Sequence, residues 1–200
     1  MLINNKYIVW LALTVPLLLI IAWVALLGAP GGRLFYWTGV ISMILIFITL
    51  ATTPLLKISN RSTWSRWLLR HRRYFGVAAF GYMAAHTAFF VFSRGSLNAI
   101  LASFNDFDIV LGWVCGVVFT AMALTSNDYS VRKLGPGWKS LQRWVYFATP
   151  VALLHWLIAV AFDPATVLIY GSMFAVVIML RIVAAKIVAT SVSGKGFTKL

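Results

Sequence analysis

Six apolar stretches, each about as long as the hydrocarbon core of a bilayer is thick, constrain this chain more than any other feature. A core of roughly 30 Å takes about 20 helical residues at 1.5 Å each, and such runs lie at about 8–28, 35–55, 74–93, 107–125, 144–162 and 165–187. Residues that break helices separate them: Gly28-Ala29-Pro30-Gly31-Gly32 after the first, Thr53-Pro54 at the end of the second, Gly135-Pro136-Gly137 after the fourth and Asp163-Pro164 before the sixth. The expected fold is all-α, a polytopic membrane bundle of six transmembrane helices. It forms one domain over 1–190, with a short polar tail at 191–200. The first run, Ile8 to Leu27, exceeds the roughly 7–15 residues of a signal-peptide core and precedes no A-x-A pattern, so it is expected to remain as a membrane helix.

The charges are few and one-sided. Only 10% of the 200 residues are charged, against 62% apolar, yet the net charge is +13. In a soluble protein that excess would raise nucleic-acid binding; here the basic residues lie almost wholly between or after the apolar runs, so membrane lipid is the implied contact and no nucleic acid is expected. If the runs alternate in direction, one side holds 15 of the Lys and Arg residues: Lys6, Lys57, Arg61, Arg66, Arg70, Arg72, Arg73, Arg132, Lys133, Lys139, Arg143, Arg181, Lys186, Lys195 and Lys199. The other side holds Arg33 and Arg94. The positive-inside rule then places both termini in the cytoplasm and leaves Asp106, Asp108 and Asp163 outside.

Two histidines stand inside apolar runs. His86 lies in RHRRYFGVAAFGYMAAHTAFFVF and His155 in WVYFATPVALLHWLIAVAF. His86 comes 12 residues after Tyr74 and His155 comes 11 after Trp144, which puts them about 18 and 16.5 Å from one end of their helices, at a common depth. An imidazole in lipid must satisfy its nitrogens. One solution is a hydrogen bond across helices to a Ser or Thr hydroxyl; the other, which the matched depth favours, is axial ligation of one haem iron by both. On that reading Ala148, Ala152 and Ala159 form a shallow strip beside His155, and Ala79, Tyr82, Met83, Phe89 and Phe90 form apolar walls beside His86. His71, among Arg70, Arg72 and Arg73, is expected to face lipid headgroups.

Other signals are weaker. The single Cys115 permits no intrachain disulfide and no Cys-ligated zinc or iron–sulfur site, and is expected to be a small apolar filler. Gly112-x-x-x-Gly116 is expected to serve ordinary helix packing, Gly39 and Gly76 are close-approach or packing positions, and Pro16 and Pro150 are expected bends. No G-x-G-x-x-G or P-loop appears, so no nucleotide-binding module is expected and an electron donor is expected to be a separate molecule.

Thr53-Pro54-Leu55, then Arg72-Arg73-Tyr74-Phe75-Gly76 leading to His86, then Leu124-Thr125-Ser126, Arg132-Lys133-Leu134-Gly135, Trp138, Leu141, Tyr146 and His155 together resemble the haem-binding membrane subunits of bacterial methionine sulfoxide reductase systems (MsrQ, formerly YedZ), within the ferric-reductase-like transmembrane group. The resemblance implies a bacterial inner-membrane protein that passes electrons from a quinol or a cytoplasmic flavin reductase to a periplasmic molybdenum-containing (molybdopterin) methionine sulfoxide reductase. It implies haem b held by His86 and His155. Where the family typically has a Leu-His pair, this chain has Leu141-Gln142, so one haem is expected rather than two. Between the basic side and that haem a gap of about 16 Å remains. FMN or a quinone near Arg72 and Arg73, with Arg70, Arg132, Lys133 and Arg143 and with Trp67, Trp138 and Trp144, would bridge it; the alternative is that these residues are an ordinary interfacial belt. Two other functions stay open at this point, a free-standing transmembrane ferric or cupric reductase and a non-redox membrane scaffold or transporter.

Overall fold

The computed structural model describes residues 5–28 and 31–196, and among them every regular element is a helix. The first, α1 (Lys6–Leu27), starts where the Asn5 side chain accepts the Tyr7 N–H and stops at Gly28, whose φ of 64° ends the helix in the left-handed conformation. Of the expected turn that follows, Ala29 and Pro30 lie outside the described residues. Helices α2 (Gly31–Ile58) and α3 (Thr63–Arg94) form the most extensive contact in the molecule. A small helix α4 (Leu97–Ala102) and a 3₁₀ turn lead into α5 (Phe107–Leu124). Two short helices, α6 (Asp128–Leu134) and α7 (Pro136–Gln142), precede α8 (Val145–Ala159). The last segment is a single turn, α9 (Pro164–Thr166), a π segment Val167–Gly171, and α10 (Ser172–Gly196).

Several expected boundaries move. Pro54 does not end α2: it is buried, and the helix runs on to Ile58. A proline close to a helix end removes a single N–H donor, and packing on α3 carries the last turn past it. Helix α3 begins 11 residues before Tyr74, at Thr63; its 32 residues span about 48 Å, so the arginine cluster rides on helical turns beyond the roughly 30 Å core instead of lying in a loop. Among the described residues five helices are long and apolar enough to cross a bilayer: Lys6–Leu26, Gly31–Ile58, Thr63–Arg94, Phe107–Leu124 and Pro164–Thr190. The remaining run gives the 15-residue α8, about 22 Å long. It is shortened at one end by a turn in which Trp144 N–H bonds to Leu141 O, and at the other by Ala161 and Phe162, both left-handed at φ 50° and 54°.

Among the described residues the buried hydroxyls of the core find partners within the protein, as groups out of reach of water require. The buried hydroxyls of Thr38 and Thr149 donate to the carbonyls one turn back, Leu34 and Val145. Ser42 bridges helices instead, donating to Ala79 O at 2.9 Å, in a seam where small residues bring α2 and α3 close. At the arginine-rich end, Trp138 Nε1 donates to Thr125 O and Gln142 Nε2 to Met122 O. These bonds tie α7 to the end of α5.

Replacing Ser42 by Ala removes the hydroxyl bond to Ala79 O that crosses from α2 to α3 and is expected to cost about 0.6 kcal/mol, with an upper bound of about 1.7, read as a small shift in the unfolding midpoint of the detergent-solubilised protein.

Candidate functional site: a two-histidine cleft

Helix α3 carries His86 and α8 carries His155. Each ring turns the same nitrogen onto main chain of the helix packed beside it: His86 Nδ1–H donates to Phe35 O on α2 at 2.9 Å, and His155 Nδ1–H to Asp108 O on α5 at 2.6 Å. A carbonyl can only accept, so Nδ1 carries a proton in both rings, and in the neutral imidazole Nε2 then keeps its lone pair. The acceptors are carbonyls, where the non-metal reading of the sequence calls for Ser or Thr hydroxyls. The Phe35 ring also stacks on His86, centroid to centroid 4.0 Å at 24°.

Phe35 and Asp108 both lie in the first turns of their helices, so the two histidines sit toward the same end of the bundle, the one opposite the arginine-rich end. Both line one cleft of about 1360 Å³, larger than the roughly 300–1,000 Å³ of most ligand pockets. Its walls come from α2 and α3 on one side and α5 and α8 on the other, and only Arg94 and Asp108 among its lining residues carry charge.

Of the walls expected from the sequence, Met83, Phe89, Phe90, Ala152 and Ala159 line this cleft. Ala79, Ala148 and Tyr82 do not. Ala79 is 2% exposed in the seam with α2, where its carbonyl receives Ser42; Ala148 is 0% exposed in the packed core; and Tyr82 donates to Leu13 O, fastening α1 to α3. Gly112, expected to serve helix packing, lies beside the His155 ring, and Gly39 beside His86. The two acceptor carbonyls had no signal in the sequence, since any residue supplies one.

His71 does not face headgroups. It is 2% exposed, donates from Nδ1 to Trp67 O at 2.9 Å, and is packed between the rings of Trp67 and Tyr74. Starting α3 at Thr63 places it in an ordered turn facing inward, away from the cleft. A separate shallow depression of about 430 Å³ at the arginine-rich end is lined by Ser140, Arg143, Trp144, Tyr146 and Phe147.

Two neutral imidazoles are too few to hold a bare metal ion, which usually takes three or more protein ligands, and no group of three His, Cys, Asp or Glu side chains gathers among the described residues. They suit a haem, whose ring brings its other donors and leaves two axial positions. An apolar cleft between helices is where such a group is held.

A family model described as "Ferric reductase like transmembrane component" matches residues 35–153, from the Phe35 carbonyl to within two residues of His155. The chain is 31% identical over 183 residues to the protein-methionine-sulfoxide reductase heme-binding subunit MsrQ of Yersinia pseudotuberculosis serotype O:1b (strain IP 31758), covering 88% of each chain. It is equally identical to MsrQ of Yersinia pestis (strain Pestoides F), covering 88% of this chain and 87% of that one. This chain belongs to the MsrQ family. No solved structure matches it.

In this MsrQ-family chain Arg72 and Arg73 stand at the arginine-rich end, away from the cleft. Arg72 donates to Thr53 Oγ1 at 3.3 Å, and Arg73 pairs with Asp128 at 2.7 Å, joining α3 to α6. The hydrogen bond from Arg73, reinforced by its charge, holds the Asp128 carboxyl below the usual carboxylate range. The contact is therefore complete above the ordinary value of about 3.9 and is lost as pH falls through the lowered one. In a carboxyl-carbon NMR titration, Arg73→Gln is expected to move the Asp128 midpoint upward toward that ordinary value, while an unchanged midpoint would break the assigned pairing.

Proposed function

We propose that this chain is the haem-bearing membrane subunit of a methionine sulfoxide reductase system, an electron carrier that leaves the substrate chemistry to a partner. The observation that carries this reading is the pair of imidazoles on the two walls of one apolar cleft, each with Nδ1 bound to main chain and Nε2 free. His86 and His155 would hold the haem iron, and Met83 and Ala152 would form part of the wall beside the ring. The group is of b type: a thioether attachment needs a C-x-x-C-H motif, and the chain has one cysteine. A haem held there would supply a one-electron ferric/ferrous couple.

The residues do the rest. The bonds to Phe35 O and Asp108 O fix ring orientation and raise the basicity of Nε2, and the apolar lining keeps water from the iron's neighbourhood. By the positive-inside rule the arginine-rich end is cytoplasmic, with six crossings of a bacterial inner membrane and both termini inside. The histidines then lie toward the periplasm, where a soluble molybdopterin-containing methionine sulfoxide reductase would collect the electron. A quinol or a cytoplasmic flavin reductase delivers it at the basic end. A quinone or FMN near Arg72 and Arg73, or in the depression beside Arg143 and Trp144, would shorten the path. A metal-ion reductase would gather acids at its outer surface, whereas the Asp163 carboxylate is engaged in capping Thr166.

The test is spectroscopic. Purified after expression with ample haem, the protein is expected to show a low-spin Soret and α-band and one haem per chain by pyridine haemochrome. His86→Ala and His155→Ala should each abolish the low-spin signature. Its survival in either variant would overturn the ligand assignment.

A further inference from the structure

The two half-sites are built alike. On α2 the acceptor is Phe35 O and the residue four further on is Gly39; on α5 the acceptor is Asp108 O and the residue four further on is Gly112. A Cβ added at Gly39 would stand 3.1 Å from His86 Nδ1 and 3.2 Å from Cε1. One added at Gly112 would stand 3.0 Å from His155 Cε1, 3.2 Å from Nδ1 and 3.4 Å from Nε2. These are inside the roughly 3.5–4.0 Å at which non-bonded carbon atoms sit comfortably. Each glycine would thus meet the face of one imidazole.

Helix geometry explains the spacing. The carbonyl of residue i accepts the N–H of residue i+4, and side chains on a helix lean back over the turn that precedes them. The side chain at i+4 is therefore well placed to shield carbonyl i from a second donor. With glycine there a flat ring can lie against the bare backbone and reach the carbonyl; at Phe35 O the Thr38 hydroxyl, whose shorter bond goes to Leu34 O, also approaches to 3.0 Å without displacing His86. Helix packing alone would not single out these two positions: Gly81 and Gly116 meet nothing within 4 Å, and Gly76 meets only Thr49 Cγ2, at 3.9 Å.

We infer that Gly39 and Gly112 are positioning residues, paired seats that expose the Phe35 and Asp108 carbonyls so that each imidazole is locked as its Nδ1–H tautomer with Nε2 presented to the cleft. The inference rests on the haem reading above for its effect on iron, but the seats themselves exist without haem. An alanine at either position pushes the ring off its carbonyl. The ligand loses the partner that raises its basicity, and a weaker donor favours ferrous over ferric iron.

The experiment uses the full chain in detergent. Gly39→Ala and Gly112→Ala are each expected to weaken haem retention by about 10–100-fold, to change the low-spin EPR g-values, and to move the midpoint potential in the positive direction. Gly81→Ala should leave all three unchanged. Wild-type retention, g-values and potential in both variants would overturn the seats while leaving the haem reading intact; a low-spin spectrum that survives His86→Ala or His155→Ala would instead remove the ligand reading. A second measurement does not depend on how the variants fold. In the haem-free wild-type protein, imidazole ¹⁵N resonances of His86 and His155 should report protonated Nδ1 and bare Nε2, and a predominant Nε2–H form in either ring would overturn the inference.

Discussion

A neutral imidazole in a bilayer has one N–H to place and no water to receive it. Helix carbonyls are already engaged along their own axis, but each keeps a second lone pair, and His86 and His155 use that capacity on Phe35 and Asp108. The remaining arrangement depends on this bond. It requires α3 to run close along α2 and α8 close along α5, it fixes which nitrogen carries the proton, and it leaves the other nitrogen of each ring for whatever lies between the two pairs.

The packing follows from that need. Contact is dense between α2 and α3 and between α5 and α8, and sparse between α3 and α5, so a tight seam flanks the cleft on each side. Inside the seams, small side chains and self-satisfied hydroxyls such as Thr38 and Thr149 bring backbones near without stranding a polar group. At the arginine-rich end the Arg73–Asp128 pair and the bonds from Trp138 and Gln142 draw the short helices onto the long ones.

Much of this was legible in the residues. Length and hydropathy located the apolar runs, and two histidines at matched depth pointed to one site, because ionisable groups in lipid are costly enough to be rare. Helical periodicity found Met83 and Ala152 but also selected Ala79 and Ala148: it reports which residues share a face, not which neighbour that face meets. The arginines around His71 point to lipid headgroups, but the extra turns at the start of α3 place it on an inward face, where it is buried. Gly112 looked like a packing glycine, since a missing side chain signals close approach without naming what approaches. Pro54 and the shortened α8 depend on tertiary contacts and on left-handed residues at Ala161 and Phe162, which local propensity does not encode.

The chain order of the half-sites also bears on assembly. Phe35 and His86 belong to consecutive helices, whereas His155 and its acceptor come later, with α6 and α7 in between. During synthesis the α2–α3 hairpin is complete, with both partners of its ring bond, before α5 and α8 are translated. A group held between the two seams would therefore meet His86 already seated, and His155 would arrive from a segment that emerges later, so that capture would follow the direction of synthesis.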